Sequence, residues 1–306
     1  MTVHETQYRG STNKTSDQRP VVLLNSGYQL LNRIINERLK KIMEQTNVLE
    51  PGQGGGRQGR SVNINMPKMH FVTQEALRQG KRYRVDIDFR NAFNAMSQAA
   101  PWHVMNMFRI PDVDLLEQIY DSTKVCLAPN DAESATITFD TGVTQGSITS
   151  PQLFNIFINA LLRMLTATGQ NQGIISHSLN GLQVGKDQDD SSQDADPGHG
   201  YQYNNISFID NISIFAETPE GMQTLLDVVQ ELTTWCGMEI NVKKTFLLVI
   251  DKDRKRRESM PAPDLTINGE RLKTLDINDA CWYLVYWGMR NGDVSATREV
   301  VVKKRE

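Results

Sequence analysis

Two aspartates lie at the ends of short strand-like patterns, where a carboxylate can reach a metal ion. Asp88 follows an alternation of apolar and charged residues over 83–87, and Asp210 lies within a second alternation over 206–214. A period of two is typical of strands with one buried face, and the break at Asp210-Asn211 predicts a turn. Taken alone, a solvated turn is the simpler interpretation, so a metal site depends on whether the two aspartates converge.

The elements that must position these aspartates follow in order from residue 83: strand, helices, strand, buried helix, β-hairpin, helix and strand. This order predicts an α+β fold of the split β-α-β-β-α-β type, with an antiparallel sheet backed by helices. In that arrangement the end of the first strand, with Asp88, lies beside the hairpin tip, with Asp210. Two carboxylates at one sheet edge suit two divalent ions roughly 3.5–4 Å apart, as two-metal phosphoryl transfer requires.

The helices are predicted from their capping residues and apolar stripes. The predicted helices are 28–45 with Ser26 as N-cap, 152–166 with Ser150 as N-cap and Pro151 as first residue, and a helix from Thr218-Pro219 to Gly237. The apolar stripe of the first helix is Leu30, Leu31, Ile34, Ile35, Leu39 and Ile42, and that of the third is Met222, Leu225, Leu226, Val229, Leu232 and Trp235. The second helix is apolar over most of its circumference and is predicted to be buried. A hairpin turn at Asn268-Gly269 and a last strand over 282–287 complete the pattern.

A glycine-rich segment over 51–61 is predicted to be a mobile loop that carries Arg57 and Arg60. Glycines let backbone amides approach phosphate oxygens, and arginine forks can chelate them. The spacing is not that of a P-loop, which disfavours a nucleoside-triphosphatase. A flexible surface loop without a ligand is the equal alternative.

Charge is distributed unevenly along the chain. Residues 1–85 hold 14 Lys and Arg against 6 Asp and Glu, residues 86–242 hold 5 against 20, and residues 243–306 hold 14 against 10. Basic ends around an acidic middle suit a protein that grips a polyanion at its flanks and concentrates carboxylates centrally. Two solvated faces that differ in charge are the alternative, and charge alone does not decide.

Composition excludes several other classes. Three cysteines without a CxxC pair support neither a disulfide framework nor a zinc site. The chain has no apolar run long enough for a bilayer and no secretory leader, so an intracellular protein without a membrane partner is expected, in either nucleus or cytoplasm.

Several motifs in order carry a resemblance to a known family. They are Asp88-Phe89-Arg90-Asn91-Ala92-Phe93, Val143-Thr144-Gln145-Gly146-Ser147, Ser150-Pro151-Gln152-Leu153-Phe154-Asn155, Phe208-Ile209-Asp210-Asn211, Gly237 with Asn241, and Lys244-Thr245. Together they resemble the palm of reverse transcriptases, closest to the non-LTR retrotransposon (LINE-type) branch. Upstream, 18–25 and 52–61 are similar to the fingers of that family, so the resemblance extends over about residues 18–290.

The resemblance implies an RNA-directed DNA polymerase, a nucleotidyltransferase that uses two Mg²⁺ or Mn²⁺ ions, dNTPs, an RNA template and a DNA primer. It also implies a right-hand fold: a disordered tail at 1–17, fingers at 18–84, a palm at 85–250 with a disordered acidic insertion at 186–199, and the palm end, primer grip and start of a thumb connection at 251–306. The thumb is expected to be absent or truncated, and the chain to be a fragment of a longer retroelement polyprotein.

Roles carried over by the resemblance fall into three groups. The catalytic residues would be Asp88, Asp210, Asn211 and Lys244, with Asp88 and Asp210 as metal ligands and Lys244 as proton donor to pyrophosphate. The nucleotide-binding residues would be Phe89, whose carbonyl would also be a third metal ligand, Phe93 as a block to a 2′-hydroxyl, Gln145, Gly146 and Arg57. The template and primer residues would be Arg60, Ser150, Pro151 and Tyr283. A plain core phenylalanine at 93 and a surface lysine at 244 are the simpler alternatives for those two positions.

The chain departs from the family pattern at Asn211, Asn94, Gly56 and Val285. Asn211 stands where a second aspartate is expected, which removes one negative charge beside two divalent cations and predicts impaired activity. Two alternatives therefore stay open: a catalytically silent module that binds nucleic acid, and a palm-fold nucleotide cyclase. The basic fingers and the Gln145 loop argue against the cyclase, because a free nucleotide needs no template grip.

Overall fold

The computed structural model describes most of the chain between residues 24 and 289. The described segments are 2–4, 6–8, 18–20, 24–57, 59–60, 62–79, 82–121, 124–128, 137–138, 141–144, 146–171, 177–178, 202–251, 262–275, 280–283 and 286–289. The predictions for Gln145, for the insertion at 186–199 and for Val285 lie outside these residues.

The described residues form both α-helices and β-strands. The helices are α1 (Ser26–Gln45), α2 (Val62–Gln79), α3 (Ala92–Ala95), α4 (Ala99–Met107), α5 (Val113–Asp121), α6 (Ser150–Asn171) and α7 (Pro219–Cys236). The strands are β1 (Thr2–His4), β2 (Thr6–Tyr8), β3 (Gln18–Pro20), β4 (Arg82–Ile87), β5 (Phe89–Arg90), β6 (Lys124–Ala128), β7 (Ile137–Thr138), β8 (His177–Ser178), β9 (Gln202–Tyr203), β10 (Asn205–Phe208), β11 (Asn211–Ala216), β12 (Glu239–Ile240), β13 (Phe246–Ile250), β14 (Thr266–Ile267), β15 (Glu270–Arg271), β16 (Lys273–Thr274), β17 (Ala280–Tyr283) and β18 (Tyr286–Met289). A 3₁₀ turn covers Val242–Lys244.

A five-stranded sheet in the order β10-β11-β4-β13-β16 holds the centre of the fold. The contacts β10–β11, β11–β4 and β4–β13 are antiparallel, and only β16 runs parallel to its neighbour β13. The hairpin therefore lies on one side of β4 and the returning strand on the other, which confirms the predicted split β-α-β-β-α-β arrangement and the α+β class.

The two faces of this sheet are covered by different elements. On one face Val85 is paired with Ile214 and Leu247, and all three are fully buried in the main hydrophobic core with α6 and α7. On the other face α2 packs its buried Met69 and Val72 against Phe215 of β11. Full burial of such side chains stabilises the fold by about 1.5–3 kcal/mol each, so both faces of the hairpin are held.

α1 differs from its prediction in both its start and its buried face. Its N-cap is Asn25, whose Oδ1 accepts from the Tyr28 N–H over 2.8 Å, not Ser26. Leu30 and Ile34, placed in the predicted stripe, are exposed by 62% and 53%. The helix instead buries Asn32, Ile35, Asn36, Leu39 and Met43.

α1 buries a polar face because this face supplies hydrogen-bond partners to the loop before α6. The loop before α6 presents backbone and hydroxyl groups to α1 that need hydrogen-bond partners. The Asn36 carboxamide, oriented with its nitrogen toward the loop, donates to the Ile148 carbonyl over 3.0 Å. Thr149 Oγ1 donates to Asn32 Oδ1 over 3.4 Å. Apolar periodicity alone could not reveal this requirement.

α6 is buried as predicted, but it is longer and it carries a polar stripe. The helix begins at Ser150, so Ser150 is not its N-cap; the Ser150 hydroxyl donates to the Thr144 carbonyl over 2.7 Å. The stripe consists of Gln152, Asn155, Asn159, Arg163 and Thr166, each of which bonds a group between residues 47 and 56. Spacings of three and four place these residues on one face of α6. This face therefore holds residues 47–56, which include the first half of the glycine-rich segment, against α6.

The C-terminal elements mostly follow the sequence pattern. Thr218 caps α7 and Gly237 ends it in the left-handed conformation (φ 73°), both as predicted, but Trp235 is 52% exposed rather than buried. Asn268-Gly269 forms the predicted hairpin turn between β14 and β15. The prediction of one strand over 282–287 was wrong, because its described residues belong to two strands, β17 and β18, which pair antiparallel. No described helix has the length and apolarity needed to cross a membrane.

Candidate active site at the hairpin tip

The tip of the β10–β11 hairpin presents Asp210 at the edge of the sheet. Phe208 pairs with Asn211, so the two-residue turn consists of Ile209 and Asp210. The turn predicted at Asp210-Asn211 was wrong by one residue, since Asn211 already belongs to β11. Ile209 has a φ of 58°, a left-handed conformation that is strained for a β-branched residue. Strain of this kind persists only where surrounding contacts enforce it, and it clusters at functional sites.

Asp88 follows the neighbouring strand and lies next to this tip. The last pair between β4 and β11 joins Ile87 to Ile212. Continuation of the antiparallel register places Asp88 opposite Asn211, one residue from Asp210. The register therefore brings the two aspartates to the same end of the sheet, as the element order predicts.

The backbone of Asp88 is fixed by the turn that carries Lys244. The Asp88 N–H donates to Thr245 Oγ1 over 3.2 Å, and its carbonyl accepts from the Asn241 N–H over 2.8 Å. The Lys244 N–H in turn donates to the Asn241 carbonyl over 2.9 Å. The Lys244 side chain is exposed, so an ammonium group on the protein surface lies on the turn that holds the backbone of Asp88.

The donor set at the tip suits a hard divalent cation. Asp88, Asp210 and Asn211 are all partly exposed, and Asn211 Nδ2 donates to Asp210 Oδ1 over 3.2 Å. Carboxylate oxygens are the ligands that Mg²⁺ and Mn²⁺ prefer, and Mg²⁺ sites commonly combine one or two carboxylates with substrate phosphates. Within the described residues no cluster of three or more Asp, Glu, His or Cys forms a metal site. The arrangement thus fits divalent ions whose remaining ligands come from substrate phosphates.

A buried ion pair lies on the same sheet face as Asp88. Arg84 Nε and Nη2 donate to the two carboxylate oxygens of Asp86 over 2.8 and 2.7 Å, and the Ser213 hydroxyl donates to Asp86 as well. The Arg84 and Asp86 side chains are only 3% and 12% exposed. Successive side chains of a strand point to opposite faces, so every second residue from 84 to 88 lies on the same face. This network therefore lies on the part of β4 directly before Asp88.

The glycine-rich segment is packed against the hairpin, so the prediction of a mobile loop was wrong for residues 52–55, which are buried. Gly54 N–H donates to the Ser207 carbonyl over 2.9 Å, and Ser207 N–H donates to the Gly52 carbonyl over 3.0 Å. A Cβ on Gly55 would come within 2.6 Å of the Ile209 nitrogen. Glycine is needed here for close approach of two backbones.

The cations of this segment are held by groups of the protein. Arg57 forms a bidentate pair with Glu44 (2.9 and 2.7 Å), and its side chain is 5% exposed. Arg60 Nη1 donates to the Pro51 carbonyl over 3.2 Å. Gly56 beside them has a φ of 65°, a left-handed conformation that glycine adopts without a steric penalty.

Lys68 on α2 is a buried cation that the sequence pattern did not single out. Its pKa is lowered to about 8, first by burial and then by repulsion from Arg60 and Arg57. The signal that could have found it is a lysine within the apolar run Met66-Pro67-Lys68-Met69. Burial and the like charges of Arg57 and Arg60 both disfavour the charged form of Lys68.

Replacing Lys68 by methionine is expected to stabilise the protein at neutral pH. The folded-state pKa lies below the unfolded value of 10.5, so the unfolded chain holds more protons between about pH 8 and 10.5, and stability rises with pH there. Urea unfolding at pH 7 should show a gain on the order of 2–3 kcal/mol for Lys68→Met, which disappears as pH approaches 10. Lys243→Met, at an exposed lysine, should change stability by less than about 0.5 kcal/mol. A gain that does not vary with pH contradicts this explanation.

Phe93 lies on the short helix α3, directly after the Asp88 strand end. Its ring stacks on Phe154 of α6 with centroids 4.7 Å apart, and the side chain is partly exposed. Its carbonyl accepts from the Val143 N–H over 2.7 Å, which ties α3 to the loop before α6. Gly142 in that loop has a φ of 77°, and a Cβ there would meet the Phe93 carbonyl at 2.5 Å. Phe154 therefore covers one face of the Phe93 ring, and part of the ring remains exposed.

A groove lies between α1 and the loop before α6. It encloses about 360 Å³ and is lined by Leu24, Ser26, Gln29, Leu30, Asn32, Arg33, Gly146 and Ile148. Gly146 is exposed with a φ of 117°, whereas Ser150 is buried and Pro151 partly so. Of the predicted site residues in this region, Gly146 lines the groove.

The fold thus gathers some predicted site residues and separates others. Asp88, Asp210, Asn211 and the Lys244 turn meet at one end of the sheet, with the glycine-rich segment against them. Tyr283 lies on β17, in a separate two-stranded sheet.

A family comparison matches the description "Reverse transcriptase (RNA-dependent DNA polymerase)" to residues 11–278. The chain belongs to this family. Its non-LTR retrotransposon character is confirmed by two similar proteins. The Pol polyprotein of the type-2 retrotransposable element R2DM of Drosophila melanogaster is 24% identical over 89% of this chain, and that of the type-1 retrotransposable element R2 of Popillia japonica is 24% identical over 79%.

The chain spans less than a third of the length of each of these relatives. This reverse transcriptase domain spans 23% of the Drosophila protein and 31% of the Popillia protein. A probable RNA-directed DNA polymerase from transposon BS of Drosophila melanogaster is 30% identical over 45% of this chain and 16% of its own.

Solved telomerase structures share the fold. Apo telomerase from Candida tropicalis, truncated from its C-terminal domain, has a TM-score of 0.51 with 10% identity, over 78% of this chain and 43% of that one. Telomerase from Candida albicans in complex with a fragment of telomeric RNA has a TM-score of 0.50 with 11% identity, over 87% and 38%. At these identities the likeness concerns architecture, and it supports a fingers-and-palm fold.

Proposed function

We propose that this domain carries out RNA-directed DNA synthesis by two-metal nucleotidyl transfer, at a level reduced by Asn211. The observation that carries the proposal is the β4–β11 register, which sets Asp88 and Asp210 at one end of the sheet. Asp88 and Asp210 would hold the ions, with the Phe89 carbonyl as a further ligand. Bound divalent ions supply activation of the primer 3′-oxygen and neutralise charge on the leaving pyrophosphate.

The residues of the chain would act around that chemistry. The primer 3′-hydroxyl would lose its proton to solvent, and its oxygen would form a bond to the α-phosphorus of the dNTP while the bond to pyrophosphate breaks. Lys244 would donate a proton to the leaving pyrophosphate. Phe93, stacked on Phe154 and open on one side, would exclude a 2′-hydroxyl by bulk. Gln145 and Gly146 would line the nucleotide pocket.

The buried cations are proposed to face the triphosphate from the fingers. For Arg57 to bind phosphate oxygens, its guanidinium must exchange the carboxylate of Glu44 for them. Lys68, which lies within electrostatic reach of Arg57 and Arg60, is proposed to bind the same phosphates. Arg60, Ser150, Pro151 and Tyr283 are proposed to contact template or primer.

The proposed partners are an RNA template, a DNA primer and dNTPs, within a longer retroelement polyprotein. The uneven charge supports this proposal, since residues 1–85 carry 14 Lys and Arg against 6 acidic residues. The proposed fingers cover 18–84 and the palm 85–250; because β4 begins at Arg82, the boundary is better placed before that residue.

Replacing Asn211 by aspartate is expected to raise primer extension at least about tenfold. An aspartate would restore one negative charge at the metal site, and about 1.4 kcal/mol of transition-state stabilisation corresponds to tenfold in rate. The measurement is extension of a DNA primer on an RNA template with Mg²⁺ or Mn²⁺, comparing native protein with Asn211→Asp. Asn211→Ser, of neutral charge, is the control and should give no gain. Equal activity of native and Asn211→Asp protein would contradict impairment by Asn211.

The same experiment separates the alternative functions. If neither protein extends a primer and both bind template–primer with a steep salt dependence, a silent nucleic-acid-binding module is preferred. A nucleotide cyclase would instead convert free nucleotide without any dependence on template.

A further inference from the structure

Gln53, in the middle of the glycine-rich segment, is fully buried and its carboxamide faces the turn of the hairpin. Gln53 Oε1 accepts from the Ile209 N–H over 2.9 Å and from the Gly55 N–H over 2.8 Å. Gln53 Nε2 donates to the Ile209 carbonyl over 3.4 Å. One side chain thus bonds both backbone polar groups of the residue immediately before Asp210.

Ile209 has a strained, left-handed backbone conformation that needs support from its surroundings. A β-branched residue at positive φ costs on the order of 1–3 kcal/mol and persists only when its surroundings enforce it. The Gln53 contacts hold the peptide groups on both sides of the Ile209 Cα, so they oppose relaxation of the turn. If Ile209 relaxed, the direction of the Asp210 side chain would change with it.

Neighbouring contacts make the segment a rigid support for Gln53. A parallel bridge joins Gln53 to Ser207, and Asn65 Nδ2 on α2 donates to the Ser207 carbonyl over 2.7 Å. From the other side Asn155 Nδ2 on α6 donates to the Gly55 carbonyl over 2.7 Å. Gln53 therefore belongs to a segment that is bridged to β10 at Ser207 and bonded to α6 at Gly55.

We propose that Gln53 is a positioning residue, which sets the place of the Asp210 carboxylate by clamping the backbone of Ile209 from the glycine-rich segment. The proposal rests on the proposed function for its catalytic consequence, but the clamp itself is a property of the fold. It also assigns a role to this segment that does not depend on phosphate binding.

The test compares Gln53→Met with Asn155→Leu. Methionine keeps the volume of glutamine and loses both contacts with Ile209. Asn155→Leu removes another buried carboxamide that bonds the same segment but does not touch the hairpin, so it controls for loss of stability. Both variants are also made together with Asn211→Asp, so that activity can be measured.

Three measurements are made: hydrogen exchange of the Ile209 amide, Mn²⁺ affinity without nucleotide, and kcat and KM for dNTP. Gln53→Met should accelerate Ile209 exchange and weaken Mn²⁺ binding, each roughly tenfold. It should lower kcat by about tenfold to a hundredfold, since a misplacement near 1 Å costs that much, with KM within about twofold. Asn155→Leu should leave all of these within about twofold, because the Gln53–Ser207 bridge and the Gly54 bond to the Ser207 carbonyl still hold the segment.

Unchanged Ile209 exchange or unchanged Mn²⁺ affinity in Gln53→Met overturns the proposal. Equal losses of kcat in Gln53→Met and Asn155→Leu overturn it as well, because the effect is then one of stability. The first two measurements need no polymerase activity. If no variant extends a primer, the proposed function fails, whereas loss of exchange protection and Mn²⁺ affinity in Gln53→Met alone still supports the clamp.

Discussion

Replacing Asp88 or Asp210 by asparagine is expected to lower primer extension by about a thousandfold or more. Each change removes a negative charge that would face divalent cations, and a loss on the order of 4 kcal/mol corresponds to three orders of magnitude in rate. The effect should appear in kcat and not in folding, because both side chains are partly exposed at the end of the sheet.

The measurement is best made together with Asn211→Asp, where activity is expected to be higher. Single-turnover extension with Mg²⁺ gives the rate, and thermal unfolding verifies that each variant is folded. Asp227→Asn is the matched control: this exposed carboxylate lies on α7, which covers the opposite face of the sheet. Retention of more than about a tenth of the activity in Asp88→Asn or Asp210→Asn would refute a two-metal site at this tip.

Breaking the buried pair between Arg84 and Asp86 is expected to cost about 3–5 kcal/mol of stability. Arg84→Met leaves a buried carboxylate with only the Ser213 hydroxyl among the contacts described above, and Asp86→Leu removes the carboxylate from a buried guanidinium. Both charges were desolvated on folding, so loss of one partner leaves that cost uncompensated.

The double variant Arg84→Met with Asp86→Leu provides the decisive comparison. Apolar side chains of similar volume need no charge partner, so the double variant should be more stable than either single variant by urea unfolding. Additive losses in the double variant would show that the two side chains act independently. The location matters for function, since this pair lies on the face of β4 that continues to Asp88.

Strand period and turn chemistry were enough to predict the sheet, because both are local. The alternation before Asp88 and around Asp210 gave β4, β10 and β11, and their order gave the topology. The turn was placed one residue late, because Asp-Asn is the better turn pair by propensity. The observed turn uses Ile209 in a strained conformation that contacts from elsewhere support.

Buried polar faces were not predictable in the same way. α1 buries Asn32 and Asn36 and exposes Leu30 and Ile34, since the loop before α6 requires hydrogen-bond partners. The apolar pattern of α1 does not indicate that this loop will pack against the helix. Arg57 was likewise predicted to bind phosphate. The structure pairs it with Glu44 of α1, a contact that the local sequence does not indicate.

The sequence by itself determined the family, the α+β class and the pair of aspartates, because motif residues and periodicity are written along the chain. Only the tertiary structure decided how the aspartates are held. The Thr245 and Asn241 contacts to Asp88, the Gln53 clamp on Ile209 and the polar stripe of α6 join residues distant in sequence. Such hydrogen bonds depend on which backbone groups folding leaves without partners, and no local pattern encodes that.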